Sequence, residues 1–466
     1  MSNHKKKRGL FRKLIDNSFL LIAGATIALV WANVAHQTDN HSYHDFVHFD
    51  VTSLWSSHAD VAHQSADGAI DATLVSASPE HAEHTVATAS HDVETKPEGF
   101  VQHAAHGLSI HFIINDILMA LFFAIAAKEV WESLLPGGSL NEPRKAATPL
   151  LATVGGILGP ALIYMIGSYF TGTTADLGNG WAVPCATDIA FSYLVARVIF
   201  GAGHPAIAFL LLLAIADDAA GLMILAIFYP QAPIVPQWLM LTVVAMCGAM
   251  MLRRSKVHSH WAYLMGPGVV CWFSFYLANI HPALGLVPII PLLPHAHTDL
   301  GIFAREELDR HDTLNEFEHC WKLPVECFLG LFGLANAGVV MSSLGTGTWL
   351  VLAGLLIGKP VGITAMTLFA EKGLKLEKPA GMDYRHVVTL GMVAALGFTV
   401  ALFVSVAAFT VPGAIQDSVK MGALLSFAAA PIAIVMGRAL RIVPVATVTE
   451  DEDQDHNSVT PAANVA

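Results

Sequence analysis

Charge is scarce in this sequence. Asp, Glu, Lys and Arg make up 13% of its 466 residues, while hydrophobic residues make up 54%. A soluble domain carries roughly a quarter charged residues, so a protein whose surface lies mostly in water is excluded. Cysteine is sparse too: the five present (Cys185, Cys247, Cys271, Cys320, Cys327) show no C-x-x-C spacing and avoid the one long polar segment, residues 36–107. That excludes a disulfide framework and a thiolate zinc ribbon, and the thiols read as reduced core residues. The G-x-G-D context of an intramembrane aspartyl protease does not occur either.

Long apolar runs are what the chain has instead. Roughly twenty such residues cross a hydrocarbon core about 30 Å thick. Twelve runs can be counted, at about 18–35, 109–135, 147–171, 181–200, 205–229, 236–252, 257–279, 281–294, 321–343, 347–370, 386–411 and 416–437, the eighth short and Pro-interrupted. The fold expected is an all-α membrane protein with about twelve transmembrane helices. Lys and Arg orient it, because they accumulate on cytoplasmic segments. With both termini inside, 21 of the 25 basic residues fall on cytoplasmic segments, Lys96 and Lys420 lie outside, and Lys128 and Lys359 lie within runs. A basic start before an apolar run also fits a signal peptide, but Ala32-Asn33-Val34-Ala35 offers no A-x-A site, and cleavage would mis-orient the remainder. The organisation expected is a basic cytoplasmic N-terminus (1–17), a membrane domain (18–440) and an acidic cytoplasmic tail (441–466), in a bacterial inner membrane.

Residues 36–107 form an insertion on the outer side, with eleven histidines, eleven acidic residues and one lysine. Its low hydrophobicity predicts a largely disordered segment. His41/His44 and His81/His84 have H-x-x-H spacing, but the rest is irregular, so a solvated loop that scavenges metal weakly or responds to pH fits better than a structural metal site. The TEDEDQD run near residue 450 reads as a solvated terminus.

A carboxylate at the bilayer centre costs about 3 kcal/mol on insertion scales, yet LLLLAIADDAAGLMILAIFY (210–229) places Asp217 and Asp218 side by side in mid-span. Asp188, in WAVPCATDIAF, follows Pro184 and Thr187, and a mid-span proline tends to break a helix. Lys359, in AGLLIGKPVGI, lies some 18 Å into its run at about 1.5 Å per residue, too deep to snorkel, and needs a partner. Glu129, with Lys128 and Glu132, sits near a run's cytoplasmic end, where snorkelling to water would explain it equally well. Adjacent helical residues point roughly 100° apart, so Asp217 and Asp218 need two roles. One can line an ion cavity with Asp188 while the other turns to a cation on a neighbouring helix, for which Lys359 is the deep candidate. A salt bridge alone leaves two buried acids over, the negative excess that a cation site requires.

PCATDIAF, LAIADDAAG and GLLIGKPVGI, with INDILMALFF (114–123), FEHCW (317–321), LANAGV (334–339) and LGFTVALFVS (396–405), stand in an order and spacing that resembles the NhaA-type sodium/proton antiporters over nearly the whole chain. The resemblance implies inverted repeats with two interrupted helices crossing at the midplane, here the Asp188 span and the LGFTVALF span. It implies that Asp188 and Thr187 compensate the helix ends at that crossing, and that Asp218 and Asp217 are the acidic pair. Na+ or Li+ would sit at Asp218 and Asp188, with Lys359 the buried base and Glu129, Glu318 and His319 contributing to pH response at the cytoplasmic mouth. The partners implied are sodium or lithium ions, protons and the lipid bilayer, with no cofactor, no enzymatic centre and no nucleic acid. Two departures stand out. Where the family is basic and then acidic after the glutamate matching Glu129, this chain has Trp131, Glu132 and Ser133. The insertion between the first two spans, short in the family and used for dimer contact, is long here, which leaves homodimerisation open.

The mechanism expected is competition for one site. Taking carboxylates out of water favours their protonated form, a bound cation favours the charged form, and protons leave as sodium or lithium arrives. Rocking of helix bundles then exposes the cavity to the other side, where protonation releases the ion. More titrating acids than ions would make the exchange electrogenic. A sodium-coupled symporter of an organic anion is the rival on the same fold, but an acidic pair disfavours anionic cargo.

Overall fold

Helix follows helix along the chain, with no strand among the described residues. The computed structural model describes residues 19–51, 108–138, 140, 143–201, 203–295 and 312–445. The basic start (1–17), most of the histidine-rich insertion and most of the acidic tail therefore lie outside the described residues.

Seven helices are long and apolar enough to cross a membrane: Phe19–Gln37, Ile110–Leu134, Ala146–Phe170, Pro205–Phe228, Pro236–Arg254, Thr346–Lys372 and Ala414–Ala439. Two bent pairs, Thr174–Cys185 with Ile189–Phe200 (53°) and Tyr384–Ala394 with Phe398–Ala408 (51°), raise the number to nine if each is one span. These occupy nine of the twelve expected runs. In the seventh run, His260–Tyr263 and Val269–Leu277 flank a π-helical stretch, Leu264–Gly268, that contains Pro267. In the eighth, Pro282–Leu284 and Val287–Leu292 are 3-10 turns around further prolines. The ninth is a 24-residue helix, Thr313–Asn336, with Glu316, Glu318, Lys322 and Glu326 in its first part. By length and composition the described residues thus supply seven to nine crossings, and the expected count of twelve rests on segments that proline and charge make short or polar.

The chain divides into two units, Met1–Tyr43 with Ile114–Ala466, and His44–Ile113. In the smaller unit the start of the insertion is held to the residues that follow it. The Val51 N–H donates to the Leu108 carbonyl at 3.0 Å, the Ile110 N–H donates to that of Phe49 at 3.1 Å, and the His48 and His111 rings stack 5.8 Å apart. The insertion's described first residues, 36–51, are therefore ordered, where composition alone predicts a largely disordered segment.

In the larger unit the closest helix contacts are made by glycine. A side chain at Gly24 would come within 2.1 Å of the Gly330 carbonyl oxygen, and one at Gly155 within 2.1 Å of that of Gly362. Small residues let helix backbones meet where apolar surroundings supply no hydrophobic drive to association. Phe200, Phe332, Phe398 and Phe403 fill the interior, while Tyr169, Phe170, Met240 and Met251 are exposed, as suits a lipid solvent.

Candidate ion site

Both bent pairs break beside each other, and one aspartate serves both. Asp188 is the N-cap of Ile189–Phe200, its Oδ1 accepting the Phe191 N–H at 3.4 Å. Its Oδ2 accepts the Thr399 N–H at 3.4 Å and the Thr399 hydroxyl, at the start of Phe398–Ala408. Its own N–H donates to the Leu396 carbonyl at 2.6 Å. The carboxylate thus meets the N-terminal, partially positive ends of two half-helices. The opposite ends are met by donors. Lys359 Nζ donates to the Cys185 carbonyl at 2.5 Å, the Thr187 hydroxyl to the Ala394 carbonyl at 3.2 Å, and the Ser192 hydroxyl to that of Val393 at 3.1 Å. Backbone groups freed by breaking a helix inside a membrane need such partners, because no water is available to them there.

Lys359 is fully buried and also donates to Asp217 Oδ2 at 3.1 Å, so Asp217 and the ammonium neutralise each other. One residue on, Asp218 is half-buried and makes no hydrogen bond or ion pair among the described residues. It lines a funnel of about 180 Å³, open to solvent, together with Glu129, Thr187, Asp188, Glu318 and Lys322. On its other side Asp218 lines a smaller cavity with Asp217, Cys185 and Phe123. The structure therefore brings Asp188, Asp218, Thr187, Glu129 and Glu318 around one space and sets Asp217 and Lys359 behind it. His319 is exposed and is not among the funnel's lining residues, so it is not brought to the site.

Three groups near this site went unread in the sequence. Thr399, the first hydroxyl after the second break, ties Asp188 to Phe398–Ala408. Lys128 is buried, not snorkelling: its Nζ lies 2.6 Å from Glu132 and 2.5 Å from Glu318, which also meets Lys322 at 3.2 Å. Farther off, the buried Asp116 carboxylate has the Gln231 amide and His281 Nδ1 each 3.5 Å away, and the Trp272 indole donates to the Asp116 backbone carbonyl at 2.9 Å. The signal missed for Asp116 lay within INDILMALFF, an acid inside an apolar run.

A helical bundle with two broken helices meeting beside an unpaired carboxylate is the architecture of a secondary ion transporter. Residues 68–438 match the family described as Na+/H+ antiporter 1, and the chain belongs to that family. It is 48% identical over 447 residues to the Na(+)/H(+) antiporter NhaA of Jannaschia sp. (strain CCS1), covering 91% of this chain and 96% of that relative. It is 44% identical to the NhaA of Geotalea uraniireducens (strain Rf4), with 92% and 96% covered, and 43% identical to that of Desulfitobacterium hafniense (strain DSM 10664 / DCB-2), with 96% and 99% covered. Proteins of this family are transporters, not enzymes.

Proposed function

We propose that this chain exchanges Na+ or Li+ for protons, with the ion at Asp218 and Asp188. One observation carries the reading: of two adjacent acids, Asp217 is neutralised by Lys359, and the half-buried Asp218 has no hydrogen bond or ion pair among the described residues and lines an open funnel with Asp188. A desolvated carboxylate without a counter-ion is unfavourable, and either a proton or a small cation relieves it. Because both relieve it at the same oxygens, each displaces the other. Asp188 takes the second ligand position while keeping the half-helix ends together, Thr187 holds the crossing, and Asp217 with Lys359 sets the charge balance behind the site. The excess of acids over one bound ion favours an electrogenic exchange.

The funnel faces the cytoplasm in this reading, because the basic residues gather on the segments joined to that end. Glu129 and Glu318, the latter held by Lys128 and Lys322, then form its mouth and tune its response to pH. The location is the bacterial inner membrane, with both termini inside. Sodium chloride added to the purified protein in weak buffer should release protons, and Asp218→Asn should abolish that release. Equal release from the two proteins would overturn the assignment.

A further inference from the structure

Two histidines outside the ion site face each other where two of its helices begin. His204 is buried and is the N-cap of Pro205–Phe228, its Nδ1 accepting the Ala206 N–H at 3.0 Å. His386 is half-buried in the first turn of Tyr384–Ala394, and its Nδ1 accepts the N–H of Asp383, that helix's N-cap, at 2.9 Å. The ring centroids are 4.8 Å apart, and Phe200 stacks on His204 at 5.5 Å. A ring nitrogen that accepts an N–H carries no proton, so both imidazoles are in the neutral Nε2–H form. The first of these helices carries Asp217 and Asp218. The second ends at the break whose Ala394 and Leu396 carbonyls are held by Thr187 and Asp188.

We propose that His204 and His386 are positioning residues for the exchange: a facing pair of neutral caps that holds the acidic-pair helix and the interrupted helix in place, and lets go when either ring takes a proton. The inference rests on the sodium/proton reading above. A proton on Nδ1 turns the acceptor into a donor, so the cap is lost and not merely weakened. Protonating both rings would set two cations 4.8 Å apart, centroid to centroid. The charged groups beside the pair offset each other, since Arg385 donates to the Asp383 carboxylate at 2.9 Å, while Phe200 and Pro205 bring no charge to His204. Burial first, and the facing His386 second, hold the His204 pKa below the ordinary imidazole value. An uncapped His204 would titrate near the ordinary value of about 6.5. The capped state is therefore favoured above that pH and loses ground as pH falls below it, separately from proton competition at Asp218.

His204→Asn combined with His386→Gln tests the pair, because Asn at an N-cap and Gln at the third helical position keep both acceptors without a titrating group. Sodium-driven proton flux is measured in reconstituted vesicles at saturating sodium from about pH 5.5 to 8.5. Relative to its own rate at the alkaline end, the double variant should be at least about threefold faster than wild type near pH 6, with sodium KM at the alkaline end within about twofold. His204→Ala, which lacks a cap at any pH, should be slow throughout, and His204→Asn alone should restore the alkaline rate. Amide hydrogen exchange of residues 205–208 and 384–387, corrected for intrinsic rate, should speed up on acidification in wild type and not in the double variant. An unchanged acid limb in the double variant, or exchange there as acid-sensitive as in wild type, overturns the proposal. A wild type that moves no protons with sodium would refute the transport reading instead, and the exchange measurement would still decide the caps.

Discussion

Lys359 makes two contacts at once, to Asp217 at 3.1 Å and to the Cys185 carbonyl at 2.5 Å, with no exposure to solvent. Removing it leaves a buried carboxylate and a helix-end carbonyl without their donor, and breaking a buried pair from one side costs about 3–5 kcal/mol. Lys359→Ala should therefore lower the melting temperature more than Asp217→Asn combined with Lys359→Gln, which removes both charges and leaves a polar donor at position 359. Equal destabilisation by the two proteins would show that the pair is assigned wrongly. The partnership was legible in the sequence because Lys359 is the one deep base available to a mid-span acid. Lys128 was not legible: a lysine near the end of a run has water within reach, and only the fold brings Glu318, 190 positions away, on top of it. His319, next to Glu318 on the same helix, points about 100° from it and is exposed.

The breaks at 186–188 and 395–397 put the site where it is, and Gly397 sets how closely they approach. A methyl group there would come within 2.5 Å of the Ala186 carbonyl oxygen, a backbone atom with little freedom to yield. Gly397→Ala should push the crossing apart and reduce transport by at least about tenfold, since misplacement near 1 Å in a tuned site can cost about a hundredfold, while the protein still inserts. Wild-type transport by this variant would mean that the crossing is looser than its geometry. Pro184 announced the first break, because proline removes a helix donor. The second carries no proline, and only its resemblance to a known motif marked LGFTVALF. The π stretches, Ile113–Leu118, Leu264–Gly268 and Gly354–Gly358, left no trace in the apolar periodicity, because a single inserted residue shifts a helix's face without changing its composition.

At the scale of the whole molecule the described membrane unit is an apolar bundle around a few buried charges, and the polar insertion is set apart from it by composition. Deleting residues 57–100 should leave sodium/proton exchange intact in vesicles, because composition gives that stretch too little apolar area to take part in a packed core. Loss of exchange in correctly inserted deletion protein would make the insertion part of the transport machinery. Competition between sodium and protons at one carboxylate pair is the central claim at this scale, and the apparent sodium KM across pH tests it most directly. Where one proton competes, KM should fall about tenfold for each unit rise in pH while the maximal rate changes far less, and Asp218→Asn should show no sodium-driven proton movement at any pH. A sodium KM flat across that range, or an Asp218→Asn variant that transports like wild type, would contradict it.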